Sequence, residues 1–201
     1  EVPEDKVLEL VVSFKFGLEK ALELFQKLGK QLDIPEREIK KAFNIAVEKQ
    51  EDFFRKMKEL GLEALEFARN SDKPVIALLG RPYNAFTREA NMGIPKKFTS
   101  KYFTVIPYDI LPYESEDIYD NMYWYYGQQD MKAAKLIKNE DNIYAAWISN
   151  FSCAPDSFML HYLKWTMGTK PFLVLELDSH SADAGVDTRV EAFLDIIDGY
   201  R

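Results

Sequence analysis

The chain has 201 residues, 47% of them hydrophobic, a formal net charge of −7 and one cysteine. That length allows one domain with an appendage or two small ones. The acidic balance, with no basic stripe, disfavours nucleic-acid partners. No run of 18 uncharged apolar residues offers a membrane span, and a lone thiol excludes a disulfide framework and points to a reducing, cytoplasmic setting.

The chain opens Glu1-Val2-Pro3-Glu4-Asp5, with neither an initiator Met nor a signal pattern, which reads as a piece of a longer or processed protein. Residues 1–70 carry helical signals almost throughout. Val7, Leu8, Val11, Val12, Phe14, Leu18, Leu22, Phe25 and Leu28 recur at spacings of three and four, and Gly29 is a plausible stop. Asp33-Ile34-Pro35-Glu36 reads as a helix start, with Asp33 as N-cap. A second long helix follows to about Asn70, with Gly61 as a weak point. The expectation for 1–70 is a helical hairpin or connector.

Residues 71–201 alternate strand and helix. Pro74–Gly80 is a continuous apolar run, typical of a strand buried on both faces. Phe103–Pro107, Ile143–Ser149 and Phe172–Leu177 are the next strands. Helices are expected over Ala90–Ser100, Asn121–Asn139, Ser157–Met167 and Thr188–Ile197, with the Tyr123–Tyr126 run as core and interface packing. Four alternations argue for a four-stranded parallel sheet in a flavodoxin-like or Rossmann-like three-layer α/β domain. Ligands bind such sheets beyond the carboxyl ends of the strands.

The unusual polar clusters fall there. Gly80, Arg81 and Asn84 follow the first strand and Asp109 the second. Asn150, Ser152 and Cys153 follow the third, and Asp178 and His180 the fourth. Each also has an ordinary reading: Arg81 as a surface ion pair, Asn84 and Asp109 as caps, Asp178 and His180 as a loop hydrogen-bond pair. Cys153 stands out because Pro155 and Asp156 mark the first turn of a helix. Backbone N–H groups converge at that end and the helix dipole is positive. Such a place favours the thiolate, the form that binds metal or attacks electrophiles. A Cys153–His180–Asp178 nucleophilic triad is the least favoured use of these residues. No Walker or GxGxxG pattern and no closed zinc spacing is present.

The blocks LLGRPYNAF, NMGIPKKF, VIPYDILP, NMYWYYGQQDMKAAKLIK, ISNFSCAPDSF and LELDSHSADAGVDTRVEAFLDII together resemble the activase-related region of the 2-hydroxyacyl-CoA dehydratase activator family. They are similar to domains of the dehydratase iron–sulfur subunits. The resemblance covers roughly residues 74–201. It implies iron–sulfur chemistry of low potential, with Cys153 in the place of a cluster cysteine. Arg81, Asn84, Asp109, Asn150, Ser152, Asp178 and His180 would shape the pocket. Clusters ordinarily take several thiolates, so the resemblance implies a [4Fe–4S] or related cluster in the intact protein and none in the isolated chain. The partners implied are the remaining domains of the parent polypeptide, namely an ATPase and other cluster-ligating domains, and a dehydratase or other reductase. ATPase activity is not expected of this chain, which lacks an ATP-binding pattern. The alternative is a non-catalytic assembly module gripping a partner subunit or a CoA-like acidic ligand.

Overall fold

The computed structural model describes Pro3 and residues 7–201. Helical signals expected over Glu1, Val2 and 4–6 lie outside the described residues. The chain forms two compact units, Glu1–Lys56 and Met57–Arg201.

In the first unit, the stretch Val7–Val12 is not helical, contrary to its apolar spacing. An amphipathic stripe holds a short helix only where a neighbouring surface buries it, and Val7, Leu8 and Val11 stay exposed. One 3₁₀ turn, Phe14–Phe16, precedes helix α1, Leu18–Gln31. Asp33 is not an N-cap: it takes a left-handed conformation (φ 54°) in the turn after α1. The Pro35 carbonyl accepts from Glu38 and Ile39 N–H at 2.9 and 3.2 Å and so opens helix α2, Glu36–Asn70. The rings of Phe25 and Phe43 lie 5.6 Å apart and Gln26 Nε2 donates to Glu36 Oε1 at 2.8 Å, which makes a helical hairpin.

The second unit is built on four parallel strands: β1 (Val75–Leu79), β2 (Thr104–Pro107), β3 (Ile143–Asn150) and β4 (Phe172–Leu177). Their order is β2-β1-β3-β4. The register sets Val75 opposite Thr104 and Ile143, and Ala145 opposite Phe172. The central strands are buried along their length apart from Asn150, whereas β4 alternates, as a doubly covered sheet requires. The helices are α3 (Pro82–Ala85), α4 (Ile94–Thr99), α5 (Tyr125–Asn139), α6 (Ala154–Met167) and α7 (Asp183–Tyr200). Leu65 and Ala68, in the part of α2 from Met57 on that belongs to this second unit, with α5 and α6, cover the face that presents Val75, Ala77, Leu79 and Trp147. Residues of α3, α4 and α7 cover the face that presents Ile76, Leu78, Ala146 and Ile148. This is the three-layer α/β domain expected from the alternation, in flavodoxin-like strand order.

Several helix boundaries shift: α4 starts at Ile94, not Ala90, α6 at Ala154, not Ser157, and α7 runs on to Tyr200. Helix α5 starts at Tyr125, not Asn121, and α7 at Asp183, not Thr188. Acidic residues suit a first helical turn, and Asp183 and Asp187 both pair with Lys97, at 3.2 and 3.0 Å. The Tyr123–Tyr126 run is not core: all four side chains are exposed.

Gly61 is a contact point and not a weak one. A Cβ there would stand 1.7 Å from the Ile110 carbonyl oxygen. Alanine gains about 1 kcal/mol of helix propensity over glycine, but this clash forces α2 away from backbone that cannot yield. Gly61→Ala is therefore expected to destabilise by about 2–3 kcal/mol, measured by urea unfolding.

Lys170 is 4% exposed. Its Nζ donates to Ile137 O at 2.7 Å and to Glu140 O, at the end of α5. Burial pushes its ammonium down to about 8. Between that value and the ordinary 10.5 the unfolded chain binds the extra proton, so this group makes stability rise with pH. In Lys170→Met that rise is expected to vanish, read as a smaller stability difference between pH 8 and pH 10 than in the parent chain.

Candidate functional site

The site forms where β1 and β3 end side by side. Strand order reverses between them, since the chain leaves β1 for β2 on one side and later places β3 on the other. That is the crevice where open α/β sheets take ligands. Gly80 leaves β1 at φ +124°, and a Cβ there would meet Ile148 O at 2.3 Å. Only glycine allows this approach, which delivers Arg81 to the end of β3.

Arg81 Nη2 donates to Cys153 Sγ at 2.7 Å and to Asp156 Oδ2 at 3.1 Å. Its Nε lies 3.1 Å from Asp156 Oδ1 without forming a hydrogen bond. The guanidinium also rests 5.0 Å over the Tyr83 ring. Burial opposes its charge, but Asp156 and Cys153 beside it more than offset this, so its pKa lies above the ordinary value. Asp156, in the first turn of α6, is fully buried and accepts from Ser149 Oγ at 2.8 Å. A buried carboxylate needs a cation and hydrogen bonds to be tolerated, and Arg81 and Ser149 supply them.

Cys153 is the N-cap residue of α6 by backbone and is partly exposed, as the strand-to-helix reading requires. Its N–H donates to Asn150 O at 3.1 Å and its carbonyl accepts from Ser157 N–H at 2.9 Å. The tight turn places Ser152 at φ 60°, exposed. Asn84 is buried and donates from Nδ2 to Ile148 O at 3.3 Å, which ties α3 to β3.

Asp109 sits in a 3₁₀ turn after β2 and lines a separate cavity of about 570 Å³ with Phe86, Asn91 and Pro107. Partial desolvation pushes its carboxyl above the ordinary value. Asp178 and His180 share their own loop. Asp178 Oδ1 accepts from His180 N–H at 2.9 Å and from Ser181 Oγ at 3.0 Å, which holds its carboxyl below the usual range. The hydrogen bond on the cysteine sulfur comes from Arg81 and not from His180. Arg81 and Cys153 thus meet directly, Asn84, Asn150 and Ser152 frame them, and Asp109, Asp178 and His180 occupy other parts of the same sheet edge.

Sequence reasoning missed Asp156, Ser149 and Asp130 as site residues. Asp130 of α5 is fully buried, and its Oδ1 accepts from Gly80 N–H at 2.9 Å. Its position within the apolar face of α5, next to Met131 and between Gly127 and Ala133, was the available signal. Oδ2 has no partner among the described residues. Burial pushes this carboxyl well above its ordinary value, the Gly80 hydrogen bond only partly opposing.

Among the described residues no group of three or more His, Cys, Asp or Glu side chains is placed to hold a metal ion, and no helix is long and apolar enough to cross a membrane. For an iron–sulfur cluster this donor set fits only as a contributor of one thiolate, Cys153, already within reach of an N–H donor of the kind that tunes cluster sulfurs.

The strand order and the crevice define a doubly wound α/β domain with an arginine–thiol pair at its switch point. A family profile described as the CoA enzyme activase uncharacterised domain (DUF2229) matches residues 2–111, more than half of the chain. The chain belongs to that family. The match ends before β3 and therefore does not reach Cys153. No curated protein and no solved structure matches the chain.

Asp130 carries a testable sign. An acid whose folded pKa is raised lends stability that is complete below its unfolded value of 3.8 and is lost as pH rises through the folded one. Asp130→Asn keeps an acceptor for Gly80 N–H and cannot ionise. Its unfolding free energy is expected to fall less between pH 5 and pH 8 than that of the parent chain, and parallel curves would refute the assignment.

Proposed function

We propose that this chain is part of a 2-hydroxyacyl-CoA dehydratase activator-type iron–sulfur protein and supplies it with one cluster ligand, Cys153. Membership in a CoA enzyme activase family supports a CoA-related activator role. The finer reading is supported chiefly by the contact of Arg81 Nη2 with Cys153 Sγ, 2.7 Å apart in the switch-point crevice.

In this reading Cys153 holds the cluster, and thiolates outside the chain complete the set. Bound there, the cluster supplies low-potential electron transfer to a dehydratase or other reductase partner. Hydrolysis of ATP belongs to another domain of the parent polypeptide. Asp156 and Ser149 fix the Arg81 guanidinium, and Arg81 orients the sulfur and balances its charge. Asn84, Asn150 and Ser152 shape the rim.

The test uses the intact protein under anaerobic conditions. Cys153→Ala is expected to lower bound iron and bleach the visible cluster absorption while circular dichroism stays unchanged, because a methyl group cannot ligate iron and the thiol adds little core volume. Unchanged iron in that variant would return the domain to the alternative, a non-catalytic assembly module.

A further inference from the structure

The outer face of α6 carries a continuous ribbon of aromatic rings. Trp124 meets Phe158 edge-on at 5.5 Å, Phe158 meets Tyr162 at 5.3 Å, Tyr162 meets Tyr119 at 5.0 Å, and Tyr119 stacks on Trp165 at 5.9 Å. The rings are locked in place: Tyr119 Oη bonds Thr166 Oγ1 at 2.8 Å and Asn121 donates to Tyr162 Oη at 2.7 Å. Phe158, His161, Tyr162 and Trp165 line a shallow cavity of about 300 Å³. Trp165 is 74% exposed. Trp124 and Phe158 are exposed too, whereas Tyr119 and Tyr162 are half-buried; rigid aromatics in one such patch are the composition of an interaction surface, where they bury large area at low entropic cost.

The charge around the ribbon selects the occupant. Tyr119 stands in a loop with Glu116, Asp117 and Asp120. Lys132 and Lys135 reach this loop, but their Nζ atoms donate to the backbone carbonyls of Glu114 and Asp117, at 3.1 and 2.6 Å, and not to its carboxylates. Glu116, Asp117 and Asp120 have no ion pair among the described residues. The ring faces already take a cation, since Lys135 Nζ lies 4.6 Å over Tyr119. An acidic rim beside Trp and Tyr faces suits guanidinium groups, which stack on such rings and pair with carboxylates. It repels nucleic acid and anionic lipid, and a net charge of −7 opposes a second copy.

We propose that the aromatic face of α6, with the acidic loop beside it, docks a protein partner that presents arginine side chains on an apolar surface. This goes beyond the role proposed for Cys153 and does not depend on it. The probe is a fluorescein-labelled amphipathic peptide of Leu and Arg, titrated with the 201-residue chain by anisotropy, against its Leu/Glu counterpart. The Arg peptide is expected to bind saturably and more tightly at low salt, and the Glu peptide not at all. Trp165→Ala is expected to weaken binding at least about tenfold, the loss of one central anchor. The pair Asp117→Asn and Asp120→Asn leaves every ring in place and is expected to weaken binding chiefly at low salt; it keeps the test decisive should the tryptophan variant misfold. Affinity for the Arg peptide that neither variant changes overturns the proposal. So does sedimentation showing a dimer that Trp165→Ala dissolves, which assigns the face to a second copy, or loss by that variant of binding to phosphatidylcholine/phosphatidylserine vesicles, which assigns it to lipid.

Discussion

The approach of β1 to β3 at their carboxyl ends governs the site. With no side chain at position 80, the exit of β1 passes within van der Waals reach of the Ile148 carbonyl. The same glycine presents its N–H to the buried Asp130 carboxyl. A side chain there would have to push the two central strands apart where both are buried. Arg81 would then no longer lie beside Cys153 and Asp156. Backbone proximity comes first, the ion pair follows from it, and the thiol geometry follows from the ion pair.

Two buried carboxyls under this turn meet opposite fates. Asp156 has a guanidinium and a hydroxyl, so its charge is compensated inside the fold. Asp130 has one backbone N–H, and the fold disfavours its charge. Coulomb attraction to Arg81 opposes this for Asp130, but desolvation is the larger effect where the partner is not in contact. A single strand exit thus carries one carboxyl paired with a guanidinium and one buried acid kept toward its neutral form.

Most of the α/β unit was legible because buried strands announce themselves. Pro74–Gly80 and Ile143–Ser149 are apolar without interruption, and such runs fit only a sheet covered twice. Parallel strands then bring Arg81 and Cys153 to one edge by topology alone. What failed was anything decided by neighbours. Val7–Val12 has helical spacing but no surface to bury it. The 178–187 stretch looks like loop, yet Lys97 pairs with Asp183 and Asp187 in the first turns of α7. Tyr123–Tyr126 reads as core by composition, and exposure is not written in composition. Asp156 looked like a helix-start residue; its pairing with Arg81, 75 positions away, depends on a register no local pattern carries.

The strand order has a bearing on where this family's recognisable portion ends. The match stops at Leu111, after β2, but β1 lies between β2 and β3. A polypeptide cut at that boundary would keep β1 while losing the strand along its other edge. It would also lose α5, α6 and α7, which roof the two apolar faces. An unpaired central strand of five buried residues is a template for intermolecular pairing. The residues that carry the family match are therefore part of a sheet that only the sequence beyond Leu111 completes.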